Sequence, residues 1–235
     1  VTTILGEGLE SFLTEPYLDA GELAWRACPP ASLDRDIVRP VSEPFDSEGG
    51  LRLVAGNLGR AIVKVSAVKP EHRSIEAPAR VFHTQEAFTE AFNNGELERD
   101  FVAVLSCQGP RANGMPELHK LTPYLGVLQN QDFSVALLTD GRMSGASGKV
   151  LAAIQVTPES VCGGLIGKVR DGDVIKICSE TGTLSVTADD EVAARETEAV
   201  DLAPNHVGMG RELFAAFRRQ SGAAEAGASI FGGDG

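Results

Sequence analysis

Two short, nearly continuous apolar runs constrain this chain more than any other feature: FVAVLS at 101–106 and FSVALLT at 133–139. Runs of this length, rich in Val and Leu and without polar alternation, predict strands buried on both faces. Each flows into a glycine-rich loop, 108–115 after the first and 140–149 after the second. Between them, Pro116 is expected to open a helix carrying Leu118, Leu121, Leu125 and Leu128 on one face, with a kink or restart at Pro123. Strand, helix, strand at this spacing is a βαβ unit with parallel strands and a right-handed crossover. In parallel sheets the loops at the carboxyl ends of strands share one edge, where ligands bind, so both glycine-rich loops are expected at one crevice.

The flanking sequence extends this α/β pattern. Strands are predicted at 51–54, 60–66 and 79–83, then a short helix capped by Thr84, with Ala87, Phe88, Ala91 and Phe92 on one face and Asn93-Asn94-Gly95 as its stop. Further strands are expected at 150–156, 173–178 and 182–188, the last two joined as a hairpin through residues 179–182. A helix at 211–220 turns Leu213, Phe214 and Phe217 inward. Before Gly49-Gly50, five prolines (Pro16, Pro29, Pro30, Pro40 and Pro44) interrupt every periodic stretch, so residues 1–48 read as short helical pieces and connector. The tail from 221 is rich in Gly, Ala and Ser, with Ile230-Phe231 expected to tuck into the body.

Composition narrows the function. Against 33 acidic residues stand 21 Lys and Arg, a formal charge of −12, which argues against general nucleic-acid binding. No apolar run approaches the ~20 residues that a membrane-spanning helix requires. With 26 glycines and only 6% aromatics, tight loops and an aliphatic core are expected. Cys28, Cys107, Cys162 and Cys178 are widely dispersed, which predicts free thiols in a reducing cytoplasm and no zinc or iron–sulfur site within the chain. The chain opens on Val1 without an initiator Met, and the expectation is a fragment of something longer.

The loop DGRMSGASGK at 140–149 matches no familiar nucleotide or hydrolase motif. Met143 stands where a Walker A loop needs its first glycine, and Arg142 stands where a nucleophile elbow around Ser144 needs one. Its own chemistry remains: three glycines expose backbone N–H groups, Arg142 and Lys149 add cations, and Ser144 and Ser147 add hydroxyls. Such a loop can cradle a carboxylate or phosphate, or it can be a tight turn with solvated cations; composition weighs the two about equally. The first loop carries Arg111, Asn113, Glu117, His119 and Lys120. Glu117 and His119 suit proton transfer, although a lone His at a helix start is more often structural.

The stretch GPRANGMPELHKLTP at 109–123 resembles a signature of the dihydroxy-acid/6-phosphogluconate dehydratase family, as does TDGRMSGASGKV at 139–150 followed by VTPE at 156–159. Similar segments run in family order through 49–63, 77–82, 171–173 and 208–217. Branched-chain members show Gly-Gly-Pro-Gly-Met and Arg-Phe-Ser-Gly-Gly-Thr at the two loops, so the residues here resemble the phosphosugar-acid branch. The resemblance implies the C-terminal part of a hydro-lyase of the Entner–Doudoroff pathway, converting 6-phospho-D-gluconate to 2-keto-3-deoxy-6-phosphogluconate and inactive without its N-terminal domain. The fold it implies is a swivelling, aconitase-like β/β/α domain with mixed sheets, a barrel-like core and flanking helices. Residues 1–48 would be connector and the end of the N-terminal domain, 49–220 the swivelling domain and 221–235 a tail.

The chemistry implied is α,β-elimination, with a cluster iron (4Fe-4S, held by the N-terminal domain) as Lewis acid on the C3 hydroxyl and a divalent cation on the carboxylate. The serine of Arg-x-Ser-Gly, Ser144 here, is the implied base. Arg142, Ser147 and Lys149, by loop charge more than by resemblance, are candidates for binding a substrate anion, with the phosphate as one target; Arg111 and His119 are further candidates for binding substrate. Dihydroxy-acid members carry a magnesium-binding Glu before Gly-Pro, where this chain has Gln108, a weaker ligand. A homodimer is implied for the full-length protein. A stand-alone module binding anions or sugar acids, or a dehydratase domain for non-phosphorylated sugar acids, are the competing alternatives.

Overall fold

In the computed structural model, which describes residues 2–143 and 148–231, the chain divides into two units, Val1–Gly49 and Gly50–Gly235. The first carries two antiparallel hairpins, β1 (Thr2–Thr3) with β2 (Gly6–Glu7) and β3 (Thr14–Asp19) with β4 (Glu22–Ala27). Of the short helical pieces expected there, a 3-10 turn at Glu10–Phe12 is present, and the other regular elements of this unit are strands. Pro16 is the residue that misleads, yet it suits a ribbon. Counting back from the closing pair Asp19–Glu22, Pro16 and Trp25 face each other at a non-hydrogen-bonded position, where a missing N–H leaves no ladder bond unmade. The connecting turn at Ala20 and Gly21 has φ of 51° and 91°, the left-handed pair that a two-residue hairpin needs.

The second unit runs β5 (Leu51–Gly56), β6 (Gly59–Lys64), β7 (Ser74–Phe82), α1 (Gln85–Asn93), β8 (Phe101–Leu105), α2 (Pro110–Asn113), α3 (Leu121–Asn130), β9 (Val135–Thr139), β10 (Leu151–Thr157), β11 (Val174–Cys178), β12 (Thr183–Val186), α4 (Asp189–Ala194), α5 (Ala203–His206) and α6 (Ala215–Gln220). Its eight strands close into a mixed barrel in the order β10-β6-β5-β12-β11-β7-β8-β9. The predicted parallel pairing of the two apolar runs is present, Phe101 opposite Val135 through Leu105 opposite Thr139. Parallel pairing also joins β7 to β8 and β9 to β10. The hairpin predicted through 179–182 joins β11 to β12.

Alternation inside the apolar runs explains their lack of polar residues. Val102, Val104, Ala136, Leu138, Leu151 and Ala153 point into the barrel, which is filled by Ala, Val, Ile and Leu without an aromatic ring among the described residues. Phe101, Ala103, Leu105, Val135, Leu137 and Ala152 point outward and are covered by Phe88 of α1 and by Leu121, Leu125 and Leu128 of α3. With both faces dry, a polar side chain at any of these positions lacks water and partners. Helix α1 begins where expected: the Thr84 hydroxyl accepts the Ala87 N–H at 3.1 Å, a cap worth about 1 kcal/mol.

Two helix expectations need correction. The helix expected from Pro116 begins at Leu121. Met115 takes a left-handed φ of 56°, and Glu117 and Leu118 pair in extended form with Arg142 (Leu118 N to Arg142 O, 3.0 Å), which helical backbone cannot do. Pro123 then falls at the third helical position, where a missing N–H has no intrahelical partner to lose. In the C-terminal segment a 3-10 turn at Arg211–Phe214 precedes α6, and Leu213, Phe214 and Phe217 are exposed rather than packed inward. Phe231 is likewise exposed, not tucked into the body.

Candidate functional site

Parallelism brings the carboxyl ends of β7, β8, β9 and β10 to one rim of the barrel. The residues that follow them, His83, Ser106 to Gln108, Asp140, and Glu159 with Ser160, form a dense polar network there. Asp140 is fully buried; one carboxylate oxygen accepts the Gln108 N–H at 2.8 Å, and the other accepts the Ser160 N–H at 3.0 Å and the Ser160 hydroxyl at 2.7 Å. Ser160 Oγ in turn accepts the Cys107 N–H at 3.0 Å. One carboxylate thus clamps the ends of three strands together. The two glycine-rich loops meet at this rim, as the βαβ reading predicts.

A second carboxylate holds the first loop. Glu159, 6% exposed, accepts the N–H groups of Arg111 at 3.0 Å and Ala112 at 3.2 Å. Burial pushes its carboxyl above the usual range, and these N–H bonds only partly oppose that. Gly109 is what allows the approach: a Cβ there would lie 2.7 Å from Glu159 Cδ. Gly141 is similarly pressed, with a Cβ position 2.7 Å from Gln108 Cβ. Cys107, Met115 and Gln155 all hold left-handed φ values without being glycine. Such conformations cost on the order of 1 kcal/mol each and persist only where surroundings fix them.

Beside this network lies a cavity of roughly 560 Å³, walled by residues from the ends of β7 and β8, the first loop and the C-terminal segment. Gln108 reaches it with both ends of its amide engaged: Nε2 donates to His83 O at 3.1 Å, and Oε1 accepts from Asn113 Nδ2 at 3.0 Å. His83 also lines it, flanked by Ser106 Oγ at 3.4 Å and Glu198 Oε1 at 3.3 Å. That acid–His–Ser order is not a nucleophilic triad, because Ser106 is buried outside the cavity wall and both distances are long.

The other predicted residues take varied places. Ser144 and Ser147 lie outside the described residues. Arg142 is exposed and its Nε donates to Met115 O at 2.8 Å, tying the second loop to the first. Lys149 is exposed, its carbonyl accepting from Gln129 Nε2 at 3.3 Å. Arg111 Nε donates to Ser221 O at 2.6 Å and so fastens the C-terminal segment to the first loop. His119 is exposed. Asp140, Glu159 and Ser160 were not legible as a network, although a charged residue just after an apolar buried strand is a usable signal, carried by Asp140 directly after β9 and by Glu159 two residues after β10.

No group of three or more His, Cys, Asp or Glu side chains placed to hold a metal is present among the described residues. Cys107 and Cys178 are buried and Cys162 is exposed, and no three such side chains are grouped to hold a metal, so the described residues do not fit an iron–sulfur cluster. Gln108 offers a neutral amide oxygen, which also accepts from Asn113 Nδ2 at 3.0 Å, where a carboxylate would be the stronger magnesium ligand.

Residues 36–228 match the family described as dihydroxy-acid/6-phosphogluconate dehydratase C-terminal. The chain belongs to this dehydratase family. It is 55% identical over 233 residues to the phosphogluconate dehydratase of Pseudomonas aeruginosa, covering 98% of this chain and 38% of that relative. Identity to the phosphogluconate dehydratase of Escherichia coli K12 is 52% over 230 residues, 97% of this chain and 38% of the relative. A dihydroxy-acid dehydratase from Moorella thermoacetica is 41% identical over 167 residues, 70% of this chain and 30% of the relative. The chain therefore spans well under half the length of the relatives it matches. No helix among the described residues is long and apolar enough to cross a membrane.

Proposed function

We propose that this chain is the C-terminal domain of a hydro-lyase that dehydrates 6-phospho-D-gluconate to 2-keto-3-deoxy-6-phosphogluconate, working with an N-terminal domain in the cytoplasm as a homodimer. The observation that carries this is the 55% identity along 98% of the chain to a phosphogluconate dehydratase, against 41% along 70% to a dihydroxy-acid dehydratase. A barrel rim with two anion-compatible loops, beside a cavity lined by both polar and apolar residues, supports it.

The reaction removes a proton from C2 and the hydroxyl from C3, leaving an enol that tautomerises to the 2-keto acid. In this proposal Ser144, ionised to its alkoxide, accepts the C2 proton and later returns it to solvent while the C3 hydroxyl departs as hydroxide, the two making up the water released. Arg142, Ser147 and Lys149 hold an anionic end of the substrate beside it. Arg111 and His119 border the same loops. What the rim contributes is preorganisation: Asp140 and Glu159 hold both loops in place before substrate arrives. The iron–sulfur cluster of the proposal belongs to the N-terminal domain. The aconitase-like swivelling of the barrel against that domain is part of the same proposal.

The test is formation of 2-keto acid from 6-phosphogluconate by the full-length protein and by this 235-residue chain. Turnover by the full-length protein with none by the chain is expected. Useful turnover by the chain alone, or turnover of gluconate at the same rate as 6-phosphogluconate, would overturn the proposal.

A further inference from the structure

The segment 208–217 contributes nothing to the rim network, yet it forms a wall of the cavity. Gly210, at φ 80°, starts the 3-10 turn, and α6 follows, so Arg211 and Arg218 both face the cavity. Each guanidinium spends one N–H on backbone: Arg218 Nη1 donates to Arg211 O at 3.2 Å and Arg211 Nη1 to Asn205 O at 3.3 Å. The first contact brings the Arg218 head group against the Arg211 main chain. Five N–H donors per guanidinium leave most of them available. Among the described residues neither arginine has a carboxylate within ion-pair distance, in a chain where acids outnumber Lys and Arg by 33 to 21. Glu86, the carboxylate of the cavity wall, is already paired with Lys120 at 3.0 Å. Gln108, Asn113 and Asn205 add amides to the lining.

Two unpaired guanidiniums among amides, in an otherwise acidic molecule, recognise a multiply charged oxyanion. The geometry points to Arg211 and Arg218 as the phosphate-recognition pair of the cavity, an inference that rests on a phosphorylated sugar acid being the substrate. The proposed substrate has two anionic ends. Its carboxylate adjoins the reacting carbons and belongs with the loop at 140–149, none of whose described residues lines the cavity. The cavity is left for the phosphate at the far end of the six-carbon chain.

The experiment uses the full-length protein and its Arg211→Gln, Arg218→Gln and Arg218→Lys variants. Steady-state kinetics with 6-phosphogluconate are measured beside calorimetric titration with inorganic phosphate. Each Gln variant is expected to raise KM about 10- to 100-fold, with the smaller change in kcat, and to weaken phosphate binding in parallel; Arg218→Lys recovers part of both. Unchanged KM and phosphate affinity would overturn the assignment, as would a loss of kcat at constant KM. Should the Gln variants not fold, inhibition of the wild-type protein decides: inorganic phosphate must compete with 6-phosphogluconate, and non-competitive or absent inhibition overturns the pair. A wild-type protein that binds phosphate through these arginines but does not dehydrate 6-phosphogluconate refutes the proposed reaction and leaves the phosphate site standing.

Discussion

Replacing Asp140 with Ala is the sharpest test of how the rim is held. The substitution removes the acceptor for three buried donors, the N–H groups of Gln108 and Ser160 and the Ser160 hydroxyl. The hydroxyl can rotate toward Cys107 Sγ, already 3.4 Å away, so the two backbone donors set the penalty. A buried donor left unmatched costs about 1–3 kcal/mol, which makes the expected loss roughly 2–6 kcal/mol. Against a total stability of about 5–15 kcal/mol, that is a large fraction. With a urea m-value of about 2 kcal/mol/M, the midpoint should fall by about 1–3 M. Asp140→Asn keeps one acceptor oxygen but turns an NH2 toward a donor, so its loss should be intermediate. Hydrogen exchange localises the effect, with Gln108 and Ser160 amides losing protection before the barrel strands do. A midpoint shift under about 0.3 M for the Ala variant, or unchanged protection at those two amides, would refute the clamp.

Three further outcomes follow from neighbouring groups. Gly109→Ala should displace Glu159 and unfasten the Arg111 and Ala112 N–H groups, lowering the thermal midpoint; in a cycle with Glu159→Ala the two losses should be clearly less than additive, and strict additivity would count against the contact. Because burial raises the folded Glu159 pKa, its ionisation opposes folding as pH rises past the unfolded value near 4.5; wild-type stability relative to Glu159→Gln should therefore decline between pH 4.5 and 7, and a relative gain would reverse the sign. Native-state alkylation followed by peptide mapping should label exposed Cys162 and spare Cys107, whose thiol burial both hides and pushes above its ordinary pKa; labelling of Cys162 should speed up as pH rises, since burial and the Glu159 charge raise its pKa too, and equal labelling of both would contradict the packing.

Much of the sheet and little of the site could be read before folding. Strands 101–105 and 135–139 were legible because both of their faces are dry, which leaves an unbroken apolar run in the chain itself. Thr84 and its helix were legible because a cap and its N–H lie three residues apart. The hairpins of residues 2–27 were not, since Pro16 is harmful or harmless according to which side of the ladder its nitrogen faces, and register settles that. The inward face expected of Phe214 and Phe217 follows from spacing alone, and spacing does not say whether a helix packs on a core or walls a cavity.

What the chain determined by itself was therefore local: apolar periodicity, caps, the glycine-rich loops and the family motifs within them. Closure of eight strands into a barrel was decided only in three dimensions, and with it the meeting of Gln108, Asp140 and Ser160, separated by 32 and 20 residues in sequence. The physical reason is burial. An aspartate after a strand reads as a solvated turn residue until the barrel removes its water, and only then must it find three donors or destabilise the fold. The same holds for Arg211 and Arg218, ordinary surface cations in the sequence, which become a matched pair only where the 3-10 turn at Arg211–Phe214 and α6 face them into one cavity.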